Sequence, residues 1–378
     1  MENYFEVEGL TVGYDKKPLI RDITFGIDKG SILTLIGPNG SGKSTILKTI
    51  TGQLAPLGGR VAVEGDDVFF WTAKQFAQRF AVVLTERIKP ELVTCAEIVA
   101  MGRYPYTDLF GRLTDEDKAA VANALRMVHA MDLANRDFST LSDGQRQRIL
   151  LARAICQDPE IIVLDEPTAY LDIRHKIELL DILRRMAREK QVTVIMSLHE
   201  IDLAMKISDN IICVKGESIK AFGTPQEIID TCSIEELYEI KNGSYDTLFG
   251  SVELVKASGE PKIFIVAGGG YGIPFYRELQ KRQIPFATGV LFSNDVDCQV
   301  ARTLSDNVIV SPCFEPAGEE VYKKALDMML KCSAVLDAGT PCGSFNEMNG
   351  RLLEAARDSG IPVLTSLDKG GIIEKEVQ

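Results

Sequence analysis

The sequence lacks a long hydrophobic run: no apolar stretch among its 378 residues approaches the roughly 20 residues needed to cross a bilayer. Its first residues, Met-Glu-Asn-Tyr-Phe-Glu-Val-Glu, contain neither a basic start nor an apolar core, so we expect no secretion signal. Both absences argue against a membrane-spanning or secreted protein. We therefore expect the chain to work in the cytoplasm.

Paired cysteines and surplus positive charge are also missing. The eight cysteines are scattered without a C-x-x-C pair, which suits free thiols in a reducing cytosol better than a disulfide framework or a zinc site. The net charge is −12, whereas a nucleic-acid-binding protein normally carries a basic patch, so we expect no nucleic-acid partner. The remaining composition is ordinary for a globular protein, and the length favours two domains over one.

The most informative stretch present runs from residue 37 to residue 45 and fits the phosphate-binding pattern G-x-x-x-x-G-K-S/T. An apolar run over residues 31–36 predicts a buried strand before it, and a helical pattern follows it. In that context glycines let the backbone wrap around phosphate oxygens, and the helix N-terminus offers unpaired N–H groups. Lys43 is then expected against the β- and γ-phosphates, with the Ser44 hydroxyl on Mg²⁺. The residues assigned to this loop are Gly37, Pro38, Asn39, Gly40, Ser41, Gly42, Lys43, Ser44 and Thr45.

Acidic and polar side chains follow three further predicted strands, at the edge where ligands of α/β sheets bind. Glu86 comes after the first of them, Asp165 and Glu166 after the second, and His199 after the third. Buried acids are costly unless a cation or hydrogen-bond donors satisfy them. Mg²⁺ meets this need for Asp165, and a water-activating role meets it for Glu166. His199 is placed for a polar contact with the γ-phosphate.

Two turns elsewhere in the chain complete the candidate site. Tyr14 lies at a turn in an antiparallel β region predicted over residues 3–34, and it is either a turn aromatic or a ring that stacks on adenine. The turn Leu141-Ser-Asp-Gly-Gln145 leads into a strongly helical segment. Ser142 is either only the cap of that helix or part of a second anion-binding end.

In this order, the motifs resemble those of the ATP-binding cassette of ABC transporters, over about residues 3–240. The resemblance implies an α/β protein, an ABC-type P-loop NTPase with an antiparallel β subdomain and a helical subdomain, that hydrolyses ATP with Mg²⁺. It makes Tyr14 the adenine-stacking residue and Asp165 the Walker B acid. It also makes Glu166 the catalytic base and His199 the switch histidine, and these two act with Lys43 of the Walker A loop.

The family also pairs two cassettes head to tail. The turn that contains Ser142 is then the signature, with Asp143 where the family more often has glycine. In a homodimer, Ser142, Gly144 and Gln145 of one copy would cover the ATP held by Lys43 of the other.

Glu86 departs from the family pattern, because the family usually has glutamine there. A carboxylate still ligates Mg²⁺, but it adds negative charge near the γ-phosphate. The resemblance therefore implies three metal ligands: Ser44, Glu86 and Asp165.

The segment Ala100-Met-Gly-Arg-Tyr-Pro-Tyr106 is similar to that of cassettes from iron–siderophore, haem and cobalamin importers. The resemblance implies an ATPase that powers import of a metal chelate through transmembrane permease subunits, on the cytoplasmic face of the cell membrane. An extracytoplasmic substrate-binding protein is then an indirect partner. The alternative is a soluble ABC ATPase, such as an iron–sulfur cluster assembly scaffold ATPase.

The rest of the chain predicts a second domain. Residues 241–260 are polar and contain glycine, which is typical of a linker, and residues 261–378 alternate strand and helix patterns. They predict a Rossmann-like α/β accessory domain with a mostly parallel sheet, after a cassette that spans residues 1–240. We expect this domain to be regulatory or ligand-sensing, because it contains no recognisable catalytic set.

Two features of the second domain leave alternatives open. The loop Gly268-Gly-Gly-Tyr-Gly272 does not satisfy G-x-G-x-x-G, since Ile273 occupies the last glycine position. It either binds a small anionic ligand or is a tight packing turn. Cys313, Cys332 and Cys342 either meet as a metal site or are ordinary thiols.

Overall fold

The computed structural model describes residues 3–84, 92–108, 110–246 and 250–367. The chain divides into two compact units, Met1–Glu239 and Ile240–Gln378. Within the described ranges, no helix is both long and apolar enough to span a bilayer.

The strands of the first unit form two sheets. They are β1 (Phe5–Tyr14), β2 (Lys17–Ile27), β3 (Ile32–Ile36), β4 (Gly58–Val63), β5 (Asp66–Asp67), β6 (Phe80–Val83), β7 (Ile161–Leu164), β8 (Thr193–Ser197), β9 (Asn210–Lys215) and β10 (Ser218–Gly223). One sheet is antiparallel with the order β2-β1-β4-β5. The other has the order β10-β9-β3-β8-β7-β6, in which β10 alone is antiparallel to its neighbour.

β3 lies inside the second of these sheets and determines where the phosphate loop emerges. All five of its residues are buried, as continuous apolar strands of a parallel sheet are. It pairs in parallel with β8 and β9. The antiparallel region expected over residues 3–34 therefore ends before β3, whose full burial on both faces requires the parallel sheet.

The helices of the first unit are α1 (Lys43–Ile50), α2 (Ala73–Arg79), α3 (Cys95–Ala100), α4 (Asp115–Met127), α5 (Asp143–Cys156), α6 (Ile173–Lys190), α7 (Ile201–Ile207), α8 (Pro225–Thr231) and α9 (Ile234–Tyr238). Short 3₁₀ segments occur at Val68–Phe70, Met101–Tyr106, Met131–Leu133 and Phe138–Thr140. α3, α4 and α5 pack on one another and form the helical part of the unit. Reciprocal side-chain and backbone bonds at their first turns fix where these three helices begin.

The second unit is built on one parallel sheet of five strands, which a two-stranded hairpin precedes in the chain. Its strands are β11 (Gly243–Asp246), β12 (Ser251–Leu254), β13 (Ile263–Val266), β14 (Phe286–Phe292), β15 (Asn307–Ser311), β16 (Ala334–Asp337) and β17 (Val363–Leu364). Its helices are α10 (Ile273–Lys281), α11 (Val296–Leu304), α12 (Glu319–Met329) and α13 (Glu347–Asp358). The parallel sheet has the order β15-β14-β13-β16-β17. Strands β14 and β15 are therefore added on one side of β13, and strands β16 and β17 on its other side, so the strand order reverses between β13 and β16.

Helices cover both faces of this sheet. Ile263 and Ile265 of β13 belong to one apolar cluster, whereas Phe264 and Val266 belong to another. Successive residues of a strand point to opposite faces, so each face has its own core. The first unit thus has the antiparallel sheet, the parallel sheet and the helical part that were expected, and the second unit has the expected Rossmann-like α/β arrangement.

Residues 241–260 differ from the linker expected there. β11 and β12 pair antiparallel as a hairpin within this range, and the hairpin belongs to the second unit. Arg277 of α10 donates to both carboxylate oxygens of Glu253, which is 3% exposed. Gln280 adds a bond from its side-chain amide to the Leu254 carbonyl. The Glu253 side chain of this segment binds α10, and a polar composition alone does not distinguish such a segment from a linker.

We expect Arg277→Ala to lower the free energy of unfolding of this unit by about 2 kcal/mol, because it leaves a buried carboxylate without its partner. Arg277 also lowers the pKa of Glu253. A carboxyl with a depressed folded pKa stabilises the fold at neutral pH and loses that contribution as the pH falls. The difference between variant and parent should therefore shrink in acid.

Urea denaturation followed by circular dichroism measures this effect. Arg282→Ala is the matched control, since Arg282 lies on the same helix and pairs with the more exposed Glu278. Arg282→Ala should lower the free energy of unfolding by no more than about 0.5 kcal/mol. Equal effects of the two substitutions would show that the hairpin is not anchored through Glu253.

Candidate functional site

The phosphate loop connects β3 to α1 with a backbone that only glycine can follow at two points. Gly37 has φ 148°, and a Cβ there would lie 2.1 Å from the Val214 carbonyl oxygen. Gly42 has φ 99° at the start of α1, and a Cβ there would lie 2.6 Å from Ile20 Cδ1. The loop therefore folds tightly against both sheets of the unit, and the first turn of α1 keeps N–H groups without intrahelical partners.

The Lys43 side chain bends back along this loop. Its Nζ donates to the carbonyl oxygens of Gly37 at 2.7 Å and Pro38 at 3.0 Å. Burial lowers the pKa of Lys43, while the negative charges of Glu166 and Asp165 oppose that shift. The ammonium thus lies within the electrostatic reach of both acids, at the position expected from the motif.

Asp165 and Glu166 are joined through one hydroxyl group. Ser197 donates from Oγ to Asp165 Oδ1 at 2.7 Å and accepts from the Glu166 N–H at 2.9 Å. The parallel register sets Leu164 opposite Met196, so the residues that follow them meet at the same edge of the sheet. Asp165 is 2% exposed, and this bond is one of the contacts that make its burial tolerable.

Glu166 is held from two sides. Its φ of 50° lies in the left-handed region, and the following Pro167 disfavours the right-handed helical alternative. His199, which follows β8, places Nε2 2.6 Å from Glu166 Oε1. The carboxylate is partly exposed, so it faces the space at the sheet edge with its direction fixed by His199.

Tyr14 lies beside the same loop. It ends β1, its ring is half exposed, and its hydroxyl is 3.4 Å from Thr45 Oγ1. A ring in this position has a free face next to the first turn of α1. The stacking role of Tyr14 stays a prediction.

The signature turn forms the start of α5. Ser142 accepts the Gln145 N–H, and Gln145 Oε1 accepts the Ser142 N–H. Asp143 pairs with Arg146 at 3.1 Å, so the acid that replaces the usual glycine is partly neutralised within its own helix. α5 packs on α3, α4 and β6, whereas α1 packs on β1 and β8. Ser142, Gly144 and Gln145 are therefore held by a different part of the unit than Lys43.

Two predictions about metal ligands have different outcomes. Glu86 lies in residues 85–91, outside the described residues, so its predicted role stays a prediction. The described residues contain no group of three or more His, Cys, Asp and Glu side chains that could hold a metal ion. The metal site considered for Cys313, Cys332 and Cys342 is therefore not formed, and all three are free thiols.

Sequence reasoning missed two residues of the site. Ser197 is the polar residue that follows three apolar residues at the end of β8, a signal that the sequence contains, but its contact with Asp165 depends on the pairing of β7 with β8. Tyr238 in α9 accepts the Gly37 N–H at 3.1 Å through its hydroxyl oxygen. No sequence pattern connects that tyrosine to a loop 201 residues earlier.

These elements make the first unit a P-loop nucleotide-binding protein with two acids and a histidine at the carboxyl edge of its sheet. Comparison with known proteins narrows this class. A family model described as "ABC transporter" matches residues 20–169, and one described as "MJ0874 family" matches residues 286–376.

Three relatives support the assignment. The chain is 42% identical over 287 residues to the ABC transporter ATP-binding protein MJ0873 of Methanocaldococcus jannaschii, covering 76% of this chain and 99% of that protein. It is 37% identical over 234 residues to the ferric enterobactin transport ATP-binding protein FepC of Escherichia coli K12, covering 62% and 86%. It is 32% identical over 304 residues to the cobalamin import ATP-binding protein BtuD of Halobacterium salinarum, covering 79% and 76%.

The chain belongs to the ATP-binding proteins of ABC transporters. The resemblance stated from the motifs is thereby confirmed, and the chain is an ATPase that binds ATP. The roles of single residues within the site remain predictions.

We expect Ser197→Ala to lower kcat for ATP hydrolysis by about tenfold or more while ATP binding is retained, because the change frees both acids to reorient. Steady-state ATPase assays and nucleotide titration separate the two effects. Ser208→Ala is the matched control, since Ser208 makes a similar hydroxyl contact to Thr34 away from the acids. Unchanged turnover in Ser197→Ala would show that the bridge does not position the acids.

Proposed function

We propose that this ATPase powers import of a metal chelate, an iron–siderophore, haem or cobalamin, through a separate membrane permease. The relatives named for ferric enterobactin transport and cobalamin import support this cargo class. They favour transport over the cluster-assembly alternative. The observation that carries the proposal is the Glu166 carboxylate, oriented by His199 beside the phosphate loop, in a chain with these relatives.

In this proposal Glu166 is the base for ATP hydrolysis. Its carboxylate accepts a proton from water as the water oxygen attacks the γ-phosphorus and the bond to the ADP oxygen breaks. His199, 2.6 Å from that carboxylate, keeps it aimed at the water. Lys43 neutralises charge that develops on the phosphate oxygens, and Tyr14 stacks on the adenine.

The residues present fit a Mg²⁺ ion as the predicted cofactor. Asp165 is a buried carboxylate and Ser44 follows the loop lysine, and hard oxygen ligands of this kind suit Mg²⁺. Ser41 Oγ is buried and has no hydrogen-bond partner among the described residues, which fits a loop built to receive a polar ligand. The bound ion would neutralise phosphate charge. Glu86 is proposed as a further ligand.

Two copies of the chain complete the ATP site in this proposal. Ser142, Gly144 and Gln145 lie at the exposed start of α5, where a helix N-terminus favours an anion. They are carried by the helical part of the unit and not by the elements that hold Lys43. A head-to-tail homodimer would bring them over the ATP of the partner copy.

The segment around Met101–Tyr106 is proposed to receive the permease. Arg103 pairs with Asp117 of α4 at 2.8 Å and stacks over the Tyr106 ring at 4.1 Å, so the segment is held firmly against the helical part. Tyr106 also lines a cavity of about 490 Å³, and Tyr104 is 59% exposed. An anchored surface with exposed aromatic rings suits a partner helix.

The cellular setting follows from the proposed partner. The protein would sit on the cytoplasmic face of the cell membrane by binding the permease. An extracytoplasmic substrate-binding protein would supply the chelate and contact this chain only indirectly. We also propose a cassette over residues 1–240 and an accessory domain in the remainder, which begins with the β11–β12 hairpin.

We expect Glu166→Gln to bind ATP and to reduce hydrolysis by about 100-fold or more, because the amide cannot accept the proton from water. ATP should then hold the variant as a dimer, which analytical ultracentrifugation measures. Glu189→Gln, at an exposed position on α6, is the matched control and should behave as the parent. Normal turnover by Glu166→Gln would remove the residue from the proposed role.

The transport role is tested by co-purification from detergent-solubilised membranes. We expect a multi-helix permease to accompany the parent chain, and the yield of the complex to fall several-fold in Tyr104→Ala/Tyr106→Ala. Phe314→Ala, an exposed aromatic of the second unit, is the control and should leave the yield unchanged. Recovery of a water-soluble scaffold protein in place of a permease would support cluster assembly.

A further inference from the structure

The second unit contains a crevice at the point where its sheet order reverses. It has a volume of about 330 Å³ and opens between the loops that follow β13 and β16. Open parallel sheets bind ligands at such points, and small-molecule sites begin near this size. The side chains that matter for its chemistry are Tyr271, Asp295, Thr340, Phe345 and Asn349.

The glycine loop beside this crevice is already filled by two carboxylates. The Gly269 N–H donates to both oxygens of Asp295, at 3.0 and 2.9 Å. Asp297 Oδ2 accepts the N–H groups of Gly270 and Gly272, each at 3.1 Å. The remaining N–H, of Tyr271, donates to the Gly268 carbonyl. No N–H from residue 269 to residue 272 is left for a phosphate.

Charge in the crevice also opposes a phosphate. Among the described residues that line it, Asp295 is the charged one, and none is a lysine or an arginine. Asp297 is fully buried behind the loop, where burial raises its pKa. A phosphate entering here would meet a carboxylate at close range without a cation to offset the repulsion.

The same side chains suit a ligand with hydroxyl groups and a planar ring. Asp295 follows β14, the second strand of the sheet, where Rossmann-type proteins place an acid that accepts from ribose hydroxyls. Three N–H bonds leave its two oxygens with acceptor capacity. The rings of Tyr271 and Phe345 are about half exposed and offer faces for stacking.

Asn349 is a polar lining residue of the crevice, and two hydrogen bonds hold its side chain in place. Its side chain is 2% exposed, accepts the Val290 N–H at 3.0 Å and donates to the Ala267 carbonyl at 3.1 Å. One amide hydrogen remains for a ligand. We infer that the second unit binds a nucleoside without a phosphate group in this crevice, with its ribose hydroxyls on Asp295 and its base against Tyr271 and Phe345.

Isothermal titration calorimetry on the full chain tests this inference with adenosine, guanosine, cytidine and uridine, each paired with its 5′-monophosphate. We expect at least one nucleoside to bind, and its monophosphate to bind about tenfold more weakly or worse. Tyr271→Ala should weaken nucleoside binding about tenfold. Phe314→Ala, at an exposed aromatic of the same unit that is not among the lining residues, should leave it unchanged, which assigns the binding to the crevice.

Asp295→Asn tests the charge argument, since asparagine keeps the helix cap but removes the negative charge. Asp295→Asn should narrow the difference in affinity between a nucleoside and its monophosphate. Asp327→Asn, at an exposed position on α12, should leave that difference unchanged. The inference fails if none of the four nucleosides binds, or if a monophosphate binds more tightly than its nucleoside. It also fails if Tyr271→Ala and Asp295→Asn both leave binding unchanged.

Discussion

The Ser197 hydroxyl group is the contact on which the ATP site depends. It is bonded at once to the Asp165 carboxylate and to the Glu166 backbone, so the two acids that follow β7 are set by one side chain from the neighbouring strand. Its position follows from the parallel register of β7 and β8. A slip of one residue in that register would turn Ser197 to the other face of the sheet and separate the acids from their support. The chemistry of the site is therefore a consequence of strand pairing.

The sequence predicted those parts of the site in which the residue type and its neighbours in the chain determine the geometry. Gly37 and Gly42 are required because a side chain would collide with the sheet, and this need is visible as a motif. Asp165 and Glu166 were found because acids at the end of an apolar strand are unusual. Ser197 and Tyr238 were not found, since each acts on a residue distant in the chain and is ordinary within its own element.

The hairpin of residues 243–254 shows the same limit for the fold. Its polar composition indicated a linker, yet Glu253 is buried against Arg277. Local sequence records that a side chain is polar, but not whether a partner from another helix will satisfy it. By contrast, the strand before the phosphate loop was predicted to within one residue, because complete burial requires a continuous apolar run.

The two glycine loops of the chain make this point most sharply. Both follow a buried strand and lead into a helix, and both contain glycines with positive φ. In the first, Lys43 supplies positive charge and the start of α1 keeps unpaired donors. In the second, Asp295 and Asp297 occupy the donors with negative charge. Both carboxylates belong to the segment that follows β14: Asp295 lies in the turn before α11, and Asp297 lies in the first turn of α11. A glycine loop thus specifies a backbone shape, and the residues that the fold brings to it decide whether an anion binds there.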